Sequence, residues 1–309
     1  MSSPSPSYES GYAHPQYAQS LSQFGNPRQL ARSGGWILER EIPGTSERDA
    51  MGCYPLFACE DWLRLPEDLE DLRGELISLS MVTDPFGEYT ADDLHRCFRD
   101  LVIPFKDHFI VDLSRTPQSS VAAHHRRNAV ISRRSLVIES CEVPLQFLDQ
   151  WCALYDTLVE RHTIKGLQTF SRSSFARQLS VPGLVAFRAT HEGVAVGMVL
   201  WYVRGNVGYF HLGAFSKTGY EMRAAFGLFW YALEYFSSQG LGWLNLGAGA
   251  GLKTSSDGLT RFKSGWATGT RRTYFCGRIF DRGKYEELVR LKQMPPTNYF
   301  PQYRAGEFG

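Results

Sequence analysis

The chain has 309 residues, is 43% hydrophobic and 14% aromatic, and balances 33 basic side chains against 32 acidic ones for a net charge of +1. Such a chain can fill a substantial core, which excludes a wholly disordered protein. Near-neutrality leaves no overall field to draw it to nucleic acid or an anionic membrane, so any such binding must be local.

Residues 1–35 are rich in Ser, Pro, Gln, Tyr and Gly without a hydrophobic period, which describes a disordered tail. The opening MSSPSPSYESGYAHPQYAQS has no basic region followed by an apolar run, so it does not read as a signal peptide. From Trp36 to Leu113 the pattern is α/β. Glu75 to Phe86 reads as a buried strand, TADDLHRCFRD as a short helix capped by Thr90, and DHFIVDL as another strand. Ser119 to Arg134 reads as a helix bearing the densest basic cluster in the chain, and RSLVIESC as a strand. Pro144 opens a long amphipathic helix whose Leu145, Phe147, Leu148, Trp151, Leu154, Tyr155 and Leu158 make one apolar face. A short helix at Ser173 to Leu179 stops before Pro182.

GLVAFRATHEGVAVGMVLWYVRGNVGYFHLGAF then reads as a three-stranded meander, with turns at His191-Glu192-Gly193 and Arg204-Gly205-Asn206. YEMRAAFGLFWYALEYFSSQG gives an apolar helix closed by Gly240, GWLNLGAG a buried strand, DGLTRFKSGW a short helix and TRRTYFCGRIF a final strand. The richest apolar run, Ala224 to Phe236, is broken by Glu234, so no membrane span is expected, and the location expected is cytoplasmic. The six cysteines show no C-x-x-C pair and no zinc-like spacing with histidine, so reduced thiols and no metal site are expected.

The stretch NLGAGAGLKTSSDGLTRFKSGW looks at first like a phosphate loop. A P-loop needs Lys directly after its last Gly, and here Leu252 stands between Gly251 and Lys253. The dinucleotide pattern fails too, because Gly247, Gly249 and Gly251 alternate strictly.

Asp257-Gly258-Leu259 followed by Arg261-Phe262-Lys263-Ser264-Gly265-Trp266 instead resembles the D-G-L-x-x-F-K-x-G-[FW] signature of the Fem-type (FemAB-like) branch of the GNAT acyltransferase superfamily. HRRN at His125 to Asn128 resembles that family's basic helix preceding the transferase domain, and the element order from Pro144 to Phe280 is that of a GNAT domain. The resemblance covers residues 115–285. It implies an α+β fold with a GNAT-like mixed, mostly antiparallel sheet flanked by helices. Residues 36–118 would form a second, reduced GNAT-like domain, and residues 119–309 the transferase domain.

The implied activity is transfer of an acyl group to an amine of a soluble precursor or metabolite, or of a peptide precursor. Acyl-CoA, such as acetyl-CoA, is the expected donor substrate, aminoacyl-tRNA is the alternative donor, and no permanently bound cofactor is expected. Ordinary GNATs cradle the CoA pyrophosphate with [RQ]-x-x-G-x-[GA], whereas this chain reads SKTGYEMRAA with Gly219 alone. That departure motivates a different class of function, a GNAT-fold binding module without catalysis.

Acyl transfer needs an oxyanion stabiliser and groups that move protons. Lys263, between Phe262 and Trp266, suits the first role, against the alternative of a surface ion pair. Tyr209 and His211 share one strand face and suit proton relay, His211 having a core histidine as its alternative. Asp257 reads as a general base or as the cap of the helix behind it. Arg126 and Arg127 match donor phosphates or form a solvated helix face. Asn245, Arg261, Phe262 and Trp266 complete the expected donor and substrate contacts.

Overall fold

The meander sets the architecture because its two turns have the backbone that tight hairpins need. Glu192 and Gly193 both take positive φ (49° and 79°), and Gly205 does so at the second turn. The computed structural model describes residues 10–162, 166, 169–249 and 258–307. These divide into two compact units. The first comprises residues 10–11, 107–162, 178–249 and 258–271, and the second residues 12–106, 166, 169–177 and 272–307. The boundary expected at 118/119 therefore falls inside the first unit, and the chain returns to the second twice.

The strands are β1 (Asn26–Gln29), β2 (Trp36–Glu41), β3 (Arg48–Gly52), β4 (Ser78–Val82), β5 (Leu101–Asp112), β6 (Val137–Cys141), β7 (Leu184–His191), β8 (Val194–Arg204), β9 (Val207–Phe215), β10 (Trp243–Gly247) and β11 (Gly269–Ile279). The helices are α1 (Pro15–Ser20), α2 (Leu65–Asp71), α3 (Ala91–Cys97), α4 (Pro117–Ser120), α5 (Ala123–Ser135), α6 (Leu148–His162), α7 (Arg172–Gln178), α8 (Lys217–Glu221), α9 (Ala224–Ser238), α10 (Gly258–Ser264) and α11 (Arg282–Leu291).

In the first unit the strand order is β5-β10-β9-β8-β7-β6. Only β9 and β10 run parallel there among the described pairs, joined through α8 and α9 as a parallel connection requires. Ala224, Leu228, Phe229, Ala232 and Phe236 of α9 are buried against Phe187 and Trp201 of the sheet. Full burial of each large side chain contributes roughly 1.5–3 kcal/mol. The second unit has the order β1-β2-β3-β4-β11, with β3 and β4 parallel and a separate core around Phe57, Leu65, Leu69, Leu79 and Cys276. Thr90 caps α3 with a full capping box through Asp93, as its spacing suggests.

Residues 10–35 correct the expectation of an unstructured tail. Tyr12, Tyr17 and Leu21 are buried, Tyr12 and Tyr17 meet edge to face at 4.9 Å, and the Tyr17 hydroxyl donates to the Tyr54 carbonyl at 2.5 Å. Average polarity concealed three apolar anchors that bury enough surface to order the segment.

Candidate active site

Two irregularities open the sheet of the first unit at one level. The β9–β10 ladder pairs Trp243 with Val207, Leu244 with Gly208 and Asn245 with Tyr209, while β9 continues to Phe215. At that point β9 bulges against β8 at His211, and β10 shifts register against β5 between Asn245 and Gly247. Bulges re-aim strands and end pairing, and parting parallel strands leave backbone groups available to a ligand.

Gly247 closes β10 with φ of +73°, and a Cβ there would approach the Lys263 ammonium to 3.2 Å. Both facts call for glycine. Lys263 lies on α10, is only 6% exposed, and donates to the Ala248 carbonyl at 2.7 Å. Its ammonium also lies 5.6 Å from the Phe210 ring centroid. An ammonium has three donors, and a positive charge in so dry a place acts strongly on nearby developing charge.

On the other side of the Gly247 bend, the Asn245 Oδ1 accepts from the Gly247 N–H at 2.8 Å and lies 3.0 Å from the His108 Nδ1. Because that oxygen is an acceptor, the His108 Nδ1 carries the proton of this bond. His108 and Asn245 are both buried. His108 was absent from the sequence expectations. Its signal was present in DHFIVDL, where His108, Ile110 and Asp112 alternate with Phe109, Val111 and Leu113.

His211 of β9 and Lys263 of α10 have different surroundings. Phe210 packs on Trp201, Phe229 and the Lys263 ammonium, whereas His211 packs on Tyr202 and meets the Gln178 Oε1 at 3.1 Å. Burial pushes the His211 imidazole down to about 3, so it stays neutral near pH 7 and fits its alternative reading as a hydrogen-bonded core histidine. Tyr209 is buried beside Asn245 in the parallel ladder.

Several expected contact residues have structural work instead. Trp266 is fully buried, and Phe262 packs against His125, Phe226 and Phe229, so both anchor α10. Arg126 spends its Nη1 on the carbonyls of Gln118 and Val121, the latter at 2.9 Å, and so braces the turn from α4 into α5. Arg127 and Arg261 are exposed. His125 joins α5 to α10 through its Nε2, 2.8 Å from the Phe262 carbonyl, and burial lowers its pKa. Asp257 lies outside the described residues. Burial pushes the thiols of Cys53, Cys97 and Cys276 up to about 12, which leaves them protonated and poor nucleophiles.

Where ordinary GNATs cradle the CoA pyrophosphate, the single glycine of this chain is tightly packed. A Cβ on Gly219 would sit 2.0 Å from the Val196 carbonyl oxygen, and the Gly219 N–H is already taken by the Ser216 Oγ at 3.1 Å. Gly219 therefore serves close packing, not approach of a phosphate.

Residues 125–264 match the family described as the acetyltransferase (GNAT) domain. Among solved structures, the chain is similar to FemX, with a TM-score of 0.66 at 13% identity over 93% of this chain and 95% of that one. It is also similar to a C-terminal domain (DUF2156) assigned to a lysylphosphatidylglycerol synthetase of Agrobacterium fabrum, with a TM-score of 0.60 at 14% identity over 89% and 90%. L-PGS from Bacillus licheniformis gives 0.58 at 16% identity over 88% and 94%. No curated protein matches the sequence. Among the described residues no helix is long and apolar enough to cross a membrane.

Proposed function

We propose that this chain, whose residues 125–264 are a GNAT-type acyltransferase domain on a Fem-like fold, transfers an activated acyl group to an amine where β9 and β10 part. The observation that carries the reading is the buried Lys263 ammonium, held on Ala248 beside the Gly247 bend. In this reaction the amine nitrogen attacks the acyl carbonyl carbon, an amide bond forms, and the bond from carbonyl carbon to leaving group breaks. Lys263 stabilises the oxyanion, a role worth roughly 10²–10³ in rate. His108 takes the proton shed by the amine at Nε2, with Asn245 holding the ring in that tautomer. The leaving group departs with a proton from solvent.

The donor proposed is an aminoacyl ester of tRNA. The missing glycine-rich cradle and the engaged Gly219 N–H disfavour a CoA pyrophosphate. One similar structure is named for a product that joins a lysyl group to a phospholipid. Exposed Arg127 and Arg261 offer local cations to a polyanion in a chain of net charge +1. A second reading keeps acyl-CoA, because the matching family is described as acetyltransferase. The acceptor proposed is an amine of a soluble precursor or metabolite.

The test supplies aminoacyl-tRNA and acyl-CoA in parallel with an amine panel, and follows amide formation and thermal stabilisation. Lys263→Ala is expected to lose about 100-fold or more in turnover while its circular dichroism stays native, with His108→Asn losing the acidic limb of the pH profile, where a general base must be unprotonated to act. An undiminished rate in folded Lys263→Ala sinks the assigned chemistry. Absence of stabilisation by either donor class would leave the chain a binding module.

A further inference from the structure

The second unit holds a cavity of about 390 Å³ that no step of acyl transfer uses. Arg73 behind α2, Arg99 and Asp100 ahead of β5, Arg278 near the end of β11, Phe280 and Arg282 line it. Pockets that hold small ligands span roughly 300–1,000 Å³, so this one is of adequate size. Its charge is lopsided. Four guanidinium groups face two carboxylates, Asp100 in the wall and Glu70 beside it, an excess of two positive charges.

Both carboxylates are already engaged. Asp100 accepts the Ile279 N–H at 2.7 Å and pairs with Arg282, while Glu70 pairs with Arg278 and, at 3.2 Å, with Arg73. Arg278 is 3% exposed, and its Nη1 is further fixed on the Cys97 carbonyl at 3.2 Å. Its guanidinium is therefore oriented before any ligand arrives. Arg99 makes no hydrogen bond or ion pair among the described residues, although it stands beside three other guanidinium groups. Gathering like charges costs free energy that a bound anion would recover. The Phe280 ring centroid, 5.4 Å from the Arg278 guanidinium, adds an apolar wall.

We propose that this cavity binds a small phosphate-bearing molecule, a phosphomonoester, whose charge of about −2 cancels the excess of the cavity, or a diphosphate, whose larger negative charge more than offsets it. Guanidinium forks match phosphate oxygens in pairs, and the ring wall accepts an organic group carried on the phosphate. The same chemistry could come from a lipid headgroup, but a concave cavity with a buried arginine at its base suits a soluble ligand better than a bilayer surface.

Calorimetry on the full chain at low ionic strength, where charge pairing is least screened, would use inorganic pyrophosphate and ADP as probes. Sedimentation with phosphatidylglycerol and phosphatidylcholine vesicles would run beside it. Saturable binding of pyrophosphate or ADP is expected, weakened about tenfold by Arg99→Ala and by Arg282→Ala. Arg99 has no hydrogen bond to lose, so Arg99→Ala should keep its melting temperature, and that melt is recorded with each titration. No saturable binding of either probe would overturn the proposal, as would binding that both variants leave intact. Arg99-dependent binding to phosphatidylglycerol vesicles alone would overturn the assignment to a soluble ligand. None of these readouts depends on acyl transfer.

Discussion

His211 and His108 show how two histidines of one sheet acquire different chemistry. His211 is buried, and the cost of desolvating its charged form lowers its pKa to about 3. Below pH 6.5 the unfolded chain gains a proton at His211 that the folded chain refuses until about pH 3. The stability due to the neutral ring is therefore complete above pH 6.5 and is lost as pH falls toward 3, by up to ~1.4 kcal/mol per pH unit. Urea unfolding at pH 7 and pH 5 should show this loss, and His211→Gln should lessen it while preserving the bond to Gln178; an equal loss in the variant would place the sensitivity elsewhere. At this scale Lys263 stands out in the sequence because a short motif, Asp257 to Trp266, carries it. His108 does not, because its partner Asn245 is 137 residues away.

Elements were more legible than contacts, since periodicity and turn chemistry are local. The meander, the Thr90 capping box and the Gly240 stop at φ +76° all follow from short patterns. The helix read from Tyr220 onward is in fact two helices. Arg223 turns left-handed at φ 59°, because α8 is pinned by Gly219 on the Val196 carbonyl while α9 begins at the fully buried Ala224. α10 depends on its anchor more than on its seven residues, which are too few for an independent helix. Trp266→Ala should therefore cost about 3–5 kcal/mol in denaturant unfolding. Trp266→Phe should cost far less, because the Trp266 Nε1 is buried with no hydrogen-bond partner among the described residues. Equal losses in the two variants would contradict anchoring by ring packing.

The course of the whole chain was the least legible. Two compact units share one polypeptide that leaves and re-enters each of them, and composition carries no record of such returns. A truncation removing residues through Gly25 tests this scale, because it deletes the buried Tyr12, Tyr17 and Leu21. Each should contribute about 1.5–3 kcal/mol, so the melting temperature should fall by several degrees. An unchanged melting temperature would restore the reading of a tail. By itself the sequence determined the order of helices and strands, the hairpin turns and the motif bearing Lys263, because backbone propensity, side-chain period and motif spacing act over a few residues. Tertiary structure alone decided that His108 meets Asn245, that Trp266 belongs to the core, that Gly219 packs on the Val196 carbonyl and that four arginines converge. Those outcomes depend on burial and on contacts between distant segments, which form only when the chain packs.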